Sequence, residues 1–143
     1  MEQLIEFVGN HPLLFFSFAG VLGLLVWNIL GDSIQGINNI TAQEATMKIN
    51  HDDAIVVDVR EDSEFTEGHI LDAIHIPLGS LSAKIKNLEK YRQHPIIVNC
   101  RSGNRSGHAC NILKKNEFEQ VFNLKGGVIA WETAGLPLTK GRK

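Results

Sequence analysis

Cysteine is scarce in this chain. Two among 143 residues, ten positions apart, give no paired framework; that excludes a disulfide-stapled fold and suits a reducing compartment. Lysine and arginine are missing from the N-terminal third; Lys48 is the first. A cleaved signal peptide wants a basic leader and a small-x-small cleavage site. Glu2 and Glu6 stand where the leader's charge should be, and Trp27-Asn28-Ile29-Leu30 offers no such site. Aromatic residues do not interleave with the basic ones, so no nucleic-acid footprint is present. His75 and His108 are too scattered to form a metal site, and no metal or cofactor is assigned.

Charge is missing altogether between Glu6 and Asp32. Leu13 to Leu30 is almost continuously apolar, and those 18 residues as a helix reach about 27 Å. With Phe7 and Val8 upstream, that suffices for a hydrocarbon core of about 30 Å. A buried helix of a soluble protein would be shorter and amphipathic. The reading is a single N-terminal transmembrane anchor over residues 1–31, spanning 7–30, with Trp27 at the interface. Residues 32–39 read as a short tether, and 40–143 as the folded domain. Basic residues follow the span rather than precede it, which places the N-terminus outside and the domain in the cytoplasm. Gly20 and Gly23 are three apart, not the four of a helix-dimerisation motif.

Charge is uneven beyond the span. Asp32 to Asp72 holds ten acidic and two basic residues; Ala73 to Lys143 holds four acidic and twelve basic. The basic half favours a small anionic ligand, although many of its lysines read as solvated helix faces.

Strand and helix signals alternate along the domain. Thr41-Ala42-Gln43-Glu44 has capping-box form and should start a helix to about Ile49. Ala54 to Val59 reads as a buried strand, and Arg60 to Gly68 as acidic and irregular. A short strand at Ala73–Ile76 is ended by Pro77, and a helix should run from Ser80 to about Lys90. Ile96 to Asn99 and Val121 to Leu124 are further strands, and Val128 to Thr133 a last helix. The expected fold is α/β: a mostly parallel central sheet flanked by helices. Function should then lie at the carboxyl ends of the strands.

Cys100 falls there. It follows Ile96-Ile97-Val98-Asn99 and opens the loop Arg101-Ser102-Gly103-Asn104-Arg105, ahead of a helix over 106–118. Backbone N–H groups and a positive helix end converge at such a point and favour a thiolate or an oxyanion. Arg101 and Arg105 add positive charge, and Gly103 permits a turn closed to other residues. These influences lower a thiol pKa and make a nucleophile. The alternative, an ordinary buried cysteine ending a core strand, does not call for two arginines and a glycine in the next five residues. Cys110, on the helix, reads as a packed residue, with a resolving-thiol role as its alternative.

In this order, several blocks resemble the single-domain rhodaneses, thiosulfate:sulfur transferases. They are Asp58-Val59-Arg60-Glu61, Glu64-Phe65 with Gly68-His69-Ile70, Ala73 with Ile76-Pro77, the Cys100 loop, and Gly126-Gly127 with Trp131 and Gly135-Leu136-Pro137. The resemblance covers Ile40 to about Leu138. It implies that Cys100 attacks the outer sulfur of thiosulfate, releases sulfite and carries a persulfide to a thiol or other thiophile. It implies loop N–H groups around the sulfur, with Arg105 and Arg101 holding the oxyanion end of the donor. Asp58 and Arg60 resemble a pair that organises the loop. His69 reads as structural, since an ionised thiol needs no base, and Trp131 as core. Asp72 stands where the family often has glycine, which puts the local turn in question. Cys-x5-Arg phosphatase and arsenate-reductase loops are one residue longer: here the arginine is at 105 and Ser106 follows.

The whole reads as a membrane-anchored sulfurtransferase of the bacterial inner membrane. Its expected partners are a small anionic sulfur donor and a thiol acceptor. The alternative is a membrane-tethered interaction module with membrane-protein partners, in which the thiol is incidental.

Overall fold

The computed structural model describes residues 12–34 and 36–141. Two compact units divide the chain, Met1–Gly36 and Ile37–Lys143. The first contributes helix α1, Pro12–Ile34. Its side chains are described as far as Leu25, and among the described residues no helix is long and apolar enough to cross a membrane. Phe7, Val8 and the side chain of Trp27, which belong to the expected span, lie outside the described residues.

The second unit holds a five-stranded parallel sheet in the order β1-β5-β4-β2-β3. The strands are β1 Asn38–Ile40, β2 Ile55–Asp58, β3 Ile74–His75, β4 Ile96–Asn99 and β5 Val121–Leu124. All pairings are parallel. Of the expected tether, residues 32–34 are helical, and Asn38 and Asn39 pair with Phe122 and Asn123 as an edge strand. Two polar residues hid that strand from its composition.

Alternation along the strands builds two cores. On one face Val57, Ile96, Val98 and Val121 pack with Leu81 of helix α4 (Leu78–Lys84) and Leu113 of helix α5 (Asn104–Lys115). Leu88, in the 3₁₀ segment Ile85–Tyr91 that extends α4, joins them. On the other face Val56, Ile97 and Leu124 pack with Ala45 of helix α2 (Ala42–His51) and Trp131 of helix α6 (Gly127–Thr133). Trp131 is thus core, and its indole N–H donates to the Pro137 carbonyl at 3.0 Å. The Thr41–Glu44 capping box that starts α2 is present.

Residues 60–68 depart from expectation. Asp62–Glu67 is a helix, α3, rather than irregular chain. Its acidic first turn suits a helix N-terminus, and the Glu64 carboxylate accepts the Glu61 backbone N–H at 3.3 Å. Asp72 adopts φ +59°, the left-handed conformation that glycine takes most readily and that aspartate tolerates. The turn therefore survives the substitution that had put it in question.

Candidate active site

Strand β4 ends at Asn99, so Cys100 emerges at the carboxyl edge of the sheet with α5 beginning four residues later. The residue is buried, at 1 % exposure. Its Sγ accepts the Gly103 backbone N–H at 3.1 Å and lies 3.3 Å from the Ser106 hydroxyl. Gly103 reaches that position at φ +102°, where a side chain would be strained and its Cβ would stand 3.2 Å from the Gly126 nitrogen. Ser102 offers its backbone N–H to the sulfur, and Asn104 supplies the first residue of α5.

Burial pushes the Cys100 thiol up. The Ser106 hydroxyl and the backbone N–H groups of Ser106, Gly103 and Ser102 outweigh that push, and the thiol lies below its ordinary value. The Ser106 hydroxyl is also 3.0 Å from the Gly103 carbonyl, and its one hydrogen serves either acceptor. A thiolate is the stronger acceptor, so ionisation draws that hydrogen to sulfur. Ser106→Ala removes the donor that opposes burial most. Its thiolate, followed by ultraviolet absorbance against pH, is expected to appear at higher pH than in the wild type. An unchanged midpoint would show that the backbone donors suffice.

Under the loop lies a buried ionic network. Arg60 donates through Nε and Nη2 to the Asp58 carboxylate, at 3.0 and 2.7 Å, and through Nη2 to the Gly68 carbonyl at 2.7 Å. The Asn99 amide donates to the same carboxylate at 3.2 Å. A buried pair needs further hydrogen bonds to offset its desolvation, and here Asn99 of β4 and the Gly68 carbonyl at the end of α3 supply two. Asp58 and Arg60 are thereby connected to Asn99, the residue that precedes Cys100. His69 bonds the Phe65 carbonyl through Nδ1 at 2.9 Å and stacks on the Phe65 ring, a structural placement.

Arg105 departs from expectation. Both its Nη atoms are taken by Glu64, at 2.7 and 2.8 Å, rather than presented to a donor. The Arg105 hydrogen bonds hold the Glu64 carboxyl down to about 2, and Glu64 in turn raises the guanidinium. Arg101 is exposed and lines a cavity of about 280 Å³ with Arg60, Glu64, Glu67, Ile129 and Glu132. Cys110 is fully buried on α5, and burial pushes its thiol up to about 12, which fits a packed residue.

Helix α6 closes the loop from the other side. The Val128 N–H donates to the Cys100 carbonyl at 2.8 Å and the Ile129 N–H to the Arg101 carbonyl at 3.3 Å. Gly126 and Gly127, at φ +76° and +58°, bring the helix that close.

A buried thiol with a lowered pKa, held by hydrogen-bond donors on the four-residue loop 100–103 between a parallel strand and a helix, has the chemistry a nucleophile needs. The family model for the rhodanese-like domain matches residues 41–134. The chain belongs to the rhodanese-like family. This rhodanese-like chain is 36% identical to the uncharacterized protein YibN of Escherichia coli, over 99% of its own length and all of that protein's. It is 33% identical to a sulfurtransferase of Allochromatium vinosum over 103 residues, which cover 71% of this chain and 94% of that one. Among solved structures, a rhodanese-related protein of Thermoplasma volcanium superimposes with a TM-score of 0.66 at 32% identity, covering 73% of this chain and 99% of that one.

Reading the residues alone placed the rhodanese-like loop but missed Ser106, Glu64 and Asn99 as its partners. Ser106 carried a usable signal: it is the third residue of α5, on the turn that faces the anion position. Glu64 carried none, being 41 positions from Arg105.

Proposed function

We propose that this protein is a membrane-anchored sulfurtransferase that carries sulfane sulfur as a persulfide on Cys100. The observation that carries the reading is the Cys100 Sγ: a buried sulfur whose thiol is lowered by Gly103 and Ser106 donors within 3.3 Å. Attack by the thiolate on the outer sulfur of a donor forms one S–S bond and breaks another, and the electron pair leaves with the donor's remaining fragment. The N–H groups that hold the thiolate also suit the persulfide anion, so little reorganisation is needed between the two. The sulfurtransferase of Allochromatium vinosum supports the reaction class for this chain.

The anchor rests on the apolar run Leu13 to Leu30 of the sequence, which carries no charge. Leu13, Phe16 and Leu24 are 83%, 71% and 72% exposed, and such a surface needs a cover that water does not provide. The cover proposed is the bacterial inner membrane, with the N-terminus outside and the domain cytoplasmic. Protease added to sealed spheroplasts should leave the domain intact; digestion there would reverse the topology.

Mass spectrometry of the full chain after exposure to thiosulfate or to an organic persulfide tests the chemistry. The expected product gains the mass of one sulfur atom on the peptide containing Cys100. No gain with either donor would remove the sulfurtransferase reading and leave the domain an interaction module.

A further inference from the structure

The cavity that the loop residue Arg101 helps to line holds carboxylates as well as guanidinium groups. Arg60 and Arg101 line it together with Glu64, Glu67 and Glu132, while Arg105 is paired with Glu64 and Asp58 with Arg60. Three guanidinium groups thus meet four carboxylates, and ionised Cys100 adds a further negative charge. Two of the cations are committed: Arg60 to Asp58, Arg105 to Glu64. Only Arg101 remains without a paired carboxylate among the ion pairs of the lining. A dianion entering this cavity, which shares Arg101 with the Cys100 loop, meets three carboxylates and one uncommitted guanidinium.

We propose that Glu64 is a specificity-determining residue: by occupying both Nη atoms of Arg105 it disfavours dianionic thiosulfate and selects organic persulfides, carriers of low negative charge. The inference rests on the sulfurtransferase reading and names its donor class. With an organic persulfide, R–S–SH, the Cys100 thiolate attacks the outer sulfur. The S–S bond of the donor breaks, R–S⁻ leaves with the electron pair, and Cys100 retains S–SH. The transferred sulfur stays in the sulfane state, and no oxidant or reductant is needed. With thiosulfate the same attack would expel sulfite, a leaving group of higher negative charge.

Glu64 owes its hold on Arg105 to position. Helix α3 begins at Asp62, and the carboxylate that accepts the Glu61 N–H also meets the guanidinium. Glu64→Gln keeps the size and an acceptor oxygen for Glu61 while giving the Arg105 pair a net positive charge. Glu132→Gln makes the same change of charge in the cavity without touching Arg105.

The test compares loading of the full chain by thiosulfate and by cysteine persulfide. In Glu64→Gln the ratio of kcat/KM for thiosulfate to that for cysteine persulfide is expected to rise about tenfold, as one charge acting at short range in a partly shielded site allows. Glu132→Gln should move it less. In Glu64→Gln combined with Arg105→Gln the ratio should return to within about twofold of wild type. Wild-type loading with an unmoved ratio in Glu64→Gln would overturn the inference. An equal rise in Glu132→Gln would overturn it too, because total charge rather than the hold on Arg105 would then decide. No loading of wild type by either donor would instead remove the sulfurtransferase reading beneath it. Thermal melting of each variant separates a lost fold from a changed preference.

Discussion

Cys100→Ser is expected to lower persulfide turnover more than about a thousandfold while leaving the fold in place. The serine hydroxyl does not ionise near neutral pH, so the donors that lower the thiol have no anion to stabilise. Those donors do not disappear: the Gly103 N–H and the Ser106 hydroxyl can bond an oxygen as they bond sulfur. The buried polar group stays satisfied, and a loss of stability of roughly 1 kcal/mol is expected from urea unfolding. Cys110 cannot take over, because it is buried and its thiol is pushed up to about 12. Sulfur appearing on Cys110 in this variant, or turnover retained, would contradict the assignment of Cys100 as the nucleophile.

Gly127→Ala should be the most destabilising change of a single methyl group at this site. At φ +58° an alanine is strained by about 1 kcal/mol before any contact is counted. Its Cβ would press against the Cys100 carbonyl oxygen and stand 2.6 Å from both the carbonyl carbon and oxygen of Arg101. These are backbone atoms and cannot rotate aside. Helix α6 must lift, and the 2.8 Å bond from the Val128 N–H to the Cys100 carbonyl is lost with it. A cost of roughly 3–5 kcal/mol in urea unfolding is expected, together with slower loading of sulfur. Gly135→Ala is the control: φ is +74°, but no atom lies within 4 Å of the added Cβ, so only the backbone strain of about 1 kcal/mol applies. Equal losses in the two variants would refute the clash.

What sequence could reveal here was set by the range of the interaction. Strands β2, β4 and β5 announce themselves because apolar runs are local, and α2 because its capping box spans four residues. Strand β1 did not, since Asn38 and Asn39 gain their structure from Phe122 and Asn123. Helix α3 was obscured by its acidity, which belongs to a helix start rather than to irregular chain. Charge counted along the chain also misled. The basic half contains Cys100, yet Glu64 and Glu67 of the acidic half line the cavity that the loop residue Arg101 helps to line, because α3 follows the strand next to β4. Arg105 could be read as a loop cation, but not as one held by a carboxylate 41 positions away.

The contact between α6 and the loop also has an electronic side. The peptide unit joining Arg101 to Ser102 presents its carbonyl to the Ile129 N–H and its own N–H to the Cys100 sulfur. Hydrogen bonds in series polarise one another. The positive end of α6 is thereby relayed through one peptide plane onto the sulfur. Cys100 is thus served by two helices, one directly and one by wire.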